Sequence, residues 1–458
     1  MPSSNGTQTQ VDPTQLSNAL AGLSGRVVTA NAELSEYAVH GKAPQAAVRP
    51  EAEDDAAKAL EVASRLGATV VPWGGGTRMH LGNSPRWYDL ALDLRGMSQV
   101  LEHQAADLTT TVQAGCTLAA LQEALGKEGQ FLPIDPPLPQ RATIGGALAV
   151  GTGGPLRAGY GPLRDWVIGM RMALPNGAVV KSGGKVVKNV TGYALDRLFI
   201  VSLGTLGVIT EVTFKVLPLP RATSTVAACF TSPDAALTAL HAIRTEGLAP
   251  MCAELANSAL LQRVGGPAAA ALSNGGPWLL LLRAGGRQST VGRMVDAFNN
   301  RCKDAGALDV QAMADAEQAQ VWQSLADAGH REPVPALTMH LTGQPSHGAE
   351  LVRLAEQAAK AAGAGEPGVQ LSAAYGGLSA HIWGDVGAPE GVSNALVELR
   401  RQTTAMGGGM VVERMPDTLR SAVEVFGEPG EAFAVMRGLK DEYDAAGVMS
   451  PGRFLGGI

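Results

Sequence analysis

Three glycine-rich stops, each closing a run of β-forming residues or opening one, constrain this chain more than any other feature. The first is PWGGGT, formed by Pro72, Trp73, Gly74, Gly75, Gly76 and Thr77 after the strand-like ATVV. The second, ATIGGALAVGTGGPLRAGYG, places Gly145, Gly146, Gly151, Gly153, Gly154, Gly159 and Gly161 in one short stretch. In the third, SLGTLGVITEVTFKV, Gly204 and Gly207 flank a turn ahead of a strand over residues 208–216. Successive N–H groups in such runs can turn inward with no side chain in the way, which suits the charge of a pyrophosphate. One glycine triplet also suits an ordinary tight turn between strands. Three separate stops point to several backbone approaches to one extended ligand.

The segments between the stops read as mixed α and β. Residues 50–67 open with acidic residues, repeat apolar positions at helical spacing and end in Gly67, which marks a helix at both ends. ATVVPW and YDLALDL flank the first stop as strands, TTTVQAG is a third, and Leu118, Leu121 and Leu125 give residues 117–128 an amphipathic helical face. Regular periodicity disappears over residues 135–161, which read as a long structured loop. DWVIGMRMALPNGAVVKSGG then forms a strand pair turning at Pro175, Asn176 and Gly177, and LPLP near residues 217–220 marks a boundary. Beyond it, helical stretches at 232–246 and 348–362 alternate with the strands WLLLLRA, PALTMHL, VQLSAAY and LSAHIWG. A final helix, EAFAVMRGLKDEYDAAG, leads into a tail with Pro451, Gly452 and Arg453.

At 458 residues the chain has room for two or three globular units. With 17% charged residues and a net charge of −6, it lacks the basic field that nucleic acid attracts. The polar residues 1–10 have neither the basic start nor the apolar core of a secretory signal and read as a disordered lead-in. No stretch reaches the roughly 18 apolar residues of a spanning helix. Cys116, Cys229, Cys252 and Cys302 are scattered without a C-x-x-C pair, so no iron–sulfur cluster or structural zinc is expected, buried packing is the plainer role, and a reducing cytoplasm fits best. GAGEPG at 363–368 matches G-x-G-x-x-G, but it follows a helix, precedes a strand and contains Pro367, which argues against a nicotinamide site.

The order PWGGGT, DPP, ATIGGALAVGTGGP, YGPLRDWVIG and GTLGVITEV resembles the FAD-binding domain of vanillyl-alcohol-oxidase-type flavoproteins. Within that superfamily, KNVTGYALDRLFIVSLGTLGVITEVTFKVLP is most similar to the FAD-binding accessory subunit of bacterial glycolate oxidase. The resemblance implies an α+β chain: a lead-in over 1–44, a two-subdomain FAD-binding domain over 45–220, an α+β cap over 221–430, and a helix and tail over 431–458 that return to the FAD domain. It implies that Pro72, Trp73, Gly74, Gly75, Gly76 and Thr77 wrap the pyrophosphate. Pro136, Thr143, Ile144, Gly145, Gly146, Ala149, Gly153, Gly154, Tyr160 and Gly161 would line the path from adenosine to flavin, and Gly207 and Ile209 would close it. In covalent relatives a histidine replaces the third glycine of the first loop. Gly76 stands there, so FAD is expected to be noncovalent.

Oxidising a 2-hydroxy acid needs a proton acceptor, a cation for the carboxylate and a flavin to take the hydride. Catalytic relatives carry a paired-histidine strand motif with a metal beside it and a later Glu-His-Gly. In GGGMVVERM, Glu413 keeps the acid but Arg414 stands where histidine is expected, and AAYGGLSAHIW offers only His381, the other position falling near Ala374. No metal is therefore expected. His340 and His347 repeat the seven-residue spacing in the wrong place, as coincidence would. Arg414 could grip a substrate carboxylate, although an exposed arginine beside a solvated strand-end Glu413 is the plainer reading. The resemblance thus implies an FAD subunit of a glycolate dehydrogenase complex, working with a catalytic flavin subunit and an iron–sulfur subunit. It would be cytoplasmic, or peripheral at the inner membrane through those partners. A self-sufficient dehydrogenase using Glu413 and Arg414, and a chain in which FAD only stabilises the fold, remain the alternatives.

Overall fold

The computed structural model describes residues 11–185, 193–272 and 276–458, so the KNVTG part of the third resemblance motif lies outside the described residues. The first layer is a four-stranded sheet in the order Arg26–Val28, Ala46–Arg49, Leu90–Asp93, Val70–Trp73, parallel except for its first pair. The helix Glu53–Leu66 connects two of these strands. Glu53, Asp54 and Asp55 in its first turn complement the helix dipole, and it stops because Gly67 takes a left-handed conformation, φ 68°. Its Ala56, Ala59, Leu60 and Ala63 pack onto the sheet.

The residues read as a lead-in over 1–44 are part of this layer from residue 11 onward. The helix Pro13–Leu20 buries Leu16 and Leu20 in the same core, and Arg26–Val28 pairs antiparallel with Ala46–Arg49. Both elements are short, and their register is set by the neighbouring strand, so local periodicity gave little sign of them.

A second, antiparallel sheet follows in the order Val100–Gln104, Thr109–Gln113, Val208–Lys215, Val167–Ala173, Val179–Gly183. The helix Leu118–Gly126 adds Leu118, Leu121 and Leu125 to the core shared by the two layers. The segment 135–161 is not wholly loop, since it contains the short helices Ile144–Val150 and Arg157–Tyr160. Thr143 caps the first by accepting from the Gly146 N–H. Seven and four residues are too few to show a helical period beside so many glycines and prolines.

After Leu217–Pro218 the cap begins. Its eight-stranded antiparallel sheet runs Asp309–Ala312, Ala222–Phe230, Trp278–Gly286, Cys252–Asn257, Gly368–Ser372, Gly377–Ile382, Leu337–Thr342, Gly409–Arg414. One face buries Leu337, Met339, Leu341, Leu378, Ala380 and Ile382 beneath the helices Pro233–Thr245, Gln288–Asp304, Gly348–Ala361 and Pro389–Ala405. Because side chains alternate along a strand, the opposite face must carry Thr338, His340, Ser379 and His381. Their hydrogen bonds agree: His340 Nδ1 lies 3.1 Å from Ser379 Oγ, and His381 Nδ1 lies 3.2 Å from Thr338 Oγ1.

The chain then returns to the first layer. After the helix Phe433–Tyr443, Val448 accepts from the Val70 N–H and the Ser450 N–H donates to Val70, placing residues 448–450 beside the strand Val70–Trp73. All four cysteines are buried.

Candidate active site

Between the two sheets of the first 220 residues lies a cleft of about 970 Å³, the open space at its mouth included. Its wall brings together Pro72, Trp73, Gly74, Gly75, Gly76 and Thr77 from the first stop with Pro136, Thr143, Gly145, Gly146 and Ala149 from the second. Gly207 and Ile209 complete the set from the third. Five of the expected residues lie elsewhere. Ile144 points into the core. Gly153 and Gly154 sit off the wall, Gly154 against the backbone of Asp135, while Tyr160 packs edge-on to Phe131 and Trp166 just before Gly161.

Several features suit an extended anionic ligand. A Cβ on Gly75 would stand 1.7 Å from the Arg141 carbonyl oxygen, so only glycine allows this close passage of two chain segments. The N–H groups of Gly75, Gly76 and Thr77 find no acceptor among the described residues, and the buried Thr152 hydroxyl on the same wall has no hydrogen-bond partner. Such orphaned donors fit the phosphates and ring edges of a dinucleotide. Residues 201–204 strap one side of the cleft. Val201 (φ 66°) and Leu203 (φ 51°) are held in the left-handed region by N–H bonds to Leu148 and Ala149, a strain of order 1–3 kcal/mol each.

At the cap end of the cleft a cluster appears that sequence reading had touched only through Glu413, Arg414, His340 and His381. Arg78, the residue after the glycine loop, lines the cleft and reaches across to the cap, its Nη2 2.7 Å from Glu413 Oε1 and its Nη1 3.3 Å from Oε2. The two side chains are 12% and 16% exposed, so Glu413 is not a solvated strand-end charge. Glu413 is the extra residue at a bulge, since Thr338 pairs with Arg414 while Met339 pairs with Val412. Arg78 Nη1 also lies 3.1 Å from His330 Nε2, and Arg414 Nη2 lies 3.3 Å from His80 Nδ1, so Arg414 too is engaged rather than free in solvent.

Burial and these cations set the charge states. Burial, then Arg78, pushes His330 down to about 3, and burial takes His381 to about 4. His80 falls well below its ordinary value through burial, Arg78 and Arg414, and burial lowers His340. Burial alone would lift Glu413, but Arg78, His340 and His330 together hold it well below the carboxylate range. At neutral pH the histidines are therefore uncharged and Glu413 is ionised, held by Arg78 with Arg414 close by. Among the described residues no three His, Cys, Asp or Glu side chains converge on a metal-sized site.

The family models divide the chain where the structure does. A model described as an FAD binding domain matches residues 44–183, and one described as the C-terminal domain of FAD linked oxidases matches residues 219–412. The chain thus carries an FAD binding domain followed by a domain of the kind found at the C-terminus of FAD linked oxidases. FAD is its cofactor, and the matched residues 44–183 carry most of the cleft wall. The flavoprotein is 33% identical over 276 residues to glycolate oxidase subunit GlcD of Bacillus subtilis (strain 168), covering 60% of this chain and 59% of that one. It is 42% identical over 132 residues to glycolate oxidase subunit GlcE of Escherichia coli (strain K12), covering 29% and 38%. Against the mitochondrial D-lactate dehydrogenase [cytochrome] of Arabidopsis thaliana it is 36% identical over 186 residues, covering 41% and 32%. These matches span between 32% and 59% of the relatives' own lengths. In fold, the flavoprotein superposes on 4-ethylphenol oxidase from Gulosibacter chungangensis with a TM-score of 0.75 at 16% identity, over 97% of this chain and 98% of that one. It superposes on p-cresol methylhydroxylase with a TM-score of 0.73 at 16% identity, over 96% of each.

Arg78, His80 and His330 carry no local signal in the sequence because their partners lie more than 250 positions away, and Thr152 carries none because its cleft is assembled from distant segments. The strands Leu337–Thr342 and Gly377–Ile382 did carry a signal for the polar face beside them, since Thr338, His340, Ser379 and His381 alternate with apolar residues, but none of the four missed residues lies on a strand.

Proposed function

We propose that this chain is the FAD-binding subunit of a multisubunit glycolate or related 2-hydroxy acid dehydrogenase, exchanging electrons with a catalytic flavin subunit and an iron–sulfur subunit. The observation that carries this reading is the contrast between the two ends of the cleft. The dinucleotide end offers orphaned donors and close backbone passages. At the other end the carboxylate of Glu413 is already bound by Arg78, and Arg414 occupies the next position.

FAD supplies the hydride-accepting ring when bound. The residues of this chain do the rest: the glycine loop and Thr143–Gly146 hold the phosphates, the strap at 201–204 limits water, and Arg78 fixes the cap against the cleft. His80 and His330 each accept an arginine N–H through one ring nitrogen, so in the neutral ring the other nitrogen carries the proton and serves as a donor. A substrate hydroxyl proton has no ready acceptor among these groups. The likeness to both GlcD and GlcE supports a place in a glycolate oxidase assembly. No helix among the described residues is long and apolar enough to cross a membrane, in keeping with a cytoplasmic subunit that reaches a membrane only through its partners.

Purified alone, the chain should retain noncovalent FAD and leave it oxidised under anaerobic glycolate or D-lactate. Adding the catalytic and iron–sulfur subunits should then allow reduction. Rapid bleaching of the isolated chain would replace this reading with a self-sufficient dehydrogenase. Flavin that stays oxidised even in the reconstituted complex would make FAD a structural ligand.

A further inference from the structure

The Arg78–Glu413 pair has features that a permanent domain clasp does not need. Arg78 belongs to the cleft wall and Glu413 to the cap, so the pair spans the two domains at the mouth of the cofactor site. Bidentate geometry presents both guanidinium nitrogens to one carboxylate. Yet Arg78 Nε remains buried without a partner, and so does His330 Nδ1, the nitrogen that carries the proton when Nε2 accepts from Arg78. Two donors are thus left unmet around a carboxylate that satisfies only the tips of the fork. Arg414 beside them adds a second guanidinium in a poorly solvated place. Glu413 reaches the fork only because a bulge re-aims it out of the strand register.

The geometry points to a carboxylate-binding site built on Arg78, Arg414 and His330 that the chain occupies with its own Glu413. Its ligand class is the small monocarboxylate anion. Such an anion would take the Arg78 fork in exchange for Glu413. The inference rests on the accessory-subunit reading and deepens it: this chain keeps a carboxylate site next to the flavin but holds it shut, and the bond to be broken for opening is the one between the two domains.

The test uses the full chain, with and without FAD, as wild type and as Glu413→Gln. Acetate and glycolate are titrated against thermal stability and against the flavin absorbance spectrum, with chloride at matched ionic strength as control. Glu413→Gln is expected to bind the carboxylates at least about tenfold more tightly than wild type, a difference of about 1.4 kcal/mol. It should show a saturable flavin perturbation that chloride does not produce. Adding Arg78→Met to Glu413→Gln should abolish the binding. Equal affinity in wild type and Glu413→Gln, or an identical response to chloride, would overturn the proposal. If Glu413→Gln does not fold, Glu413→Asp keeps the charge and shortens its reach; it should bind acetate more tightly than wild type, and failure to do so would also overturn it. The FAD-free thermal arm does not depend on flavin reduction, so its outcome is separate from whether glycolate bleaches the chain alone or with partners.

Discussion

Replacing Glu254 by glutamine should stabilise the folded chain at alkaline pH and leave it nearly unchanged at acid pH. Glu254 lies in the middle of the cap strand Cys252–Asn257 and is fully buried. Its carboxylate is met by neutral donors, Ser372 Oγ at 2.8 and 3.1 Å and Gln370 Nε2 at 3.0 Å. Burial outweighs those hydrogen bonds and lifts the group from 4.5 to about 7. At about 1.36 kcal/mol per pH unit, ionising Glu254 in the folded chain costs about 3 kcal/mol more than in the unfolded chain. Between about pH 4.5 and 7 the folded state holds a proton that the unfolded state has lost. Stability therefore falls as pH rises through that window and levels off above it. A neutral amide of the same size removes this dependence. Urea unfolding of wild type and Glu254→Gln at pH 5 and pH 8, followed by far-ultraviolet circular dichroism, isolates the effect as the difference between two differences, in which titrating groups not coupled to Glu254 cancel. The variant should gain about 2–3 kcal/mol relative to wild type on going from pH 5 to pH 8. Parallel profiles for the two proteins would refute the reasoning, because they would mean that Glu254 ionises at its ordinary pH inside the sheet.

Four further outcomes are expected. Gly75→Ala forces a Cβ to within 1.7 Å of the Arg141 carbonyl oxygen, and the resulting shift of the loop should weaken FAD binding at least about tenfold by equilibrium dialysis, at the 1–3 kcal/mol scale of overpacking. Gly126→Ala, with nothing within 4 Å, should leave FAD binding unchanged. Thr152→Val removes the unpartnered hydroxyl on the cleft wall; the FAD-free chain should melt no lower than wild type, while FAD affinity falls about fivefold, one hydrogen bond's net worth of about 1 kcal/mol. Acid precipitation should release the FAD into the supernatant because Gly76 offers no side chain for a covalent bond, and flavin retained in the pellet would contradict this.

What could be read from the sequence was whatever a local rule controls. The acidic first turn of Glu53–Leu66 and its terminal Gly67, and the turn at 175–177 between two strands, are settled by residues within a few positions of one another. The glycine stops were legible because close approach leaves no other residue type. Residues 11–44 were harder: their strand gains its meaning only from the neighbour it pairs with. The cluster at the cap end was least legible. Arg78 and Glu413 are 335 positions apart, and neither the fork nor the depth of burial that fixes the histidines as neutral exists until the two domains meet. Glu413 and Arg414 read as surface charges because a strand end usually is solvated; here the strand end is covered by the other domain.

The return of residues 448–453 to the strand that carries the first glycine loop bears on the order of synthesis and loading. Arg453 stands on the cleft wall and donates to the carbonyls of Met79, Leu81 and Asn83. A nascent chain with both sheets and the whole cap already outside the ribosome still lacks this wall. With FAD placed in this cleft as proposed, its wall is complete only once residues hundreds of positions after the glycine loop have emerged, and a chain stopped before Met449 would lack Arg453 from that wall.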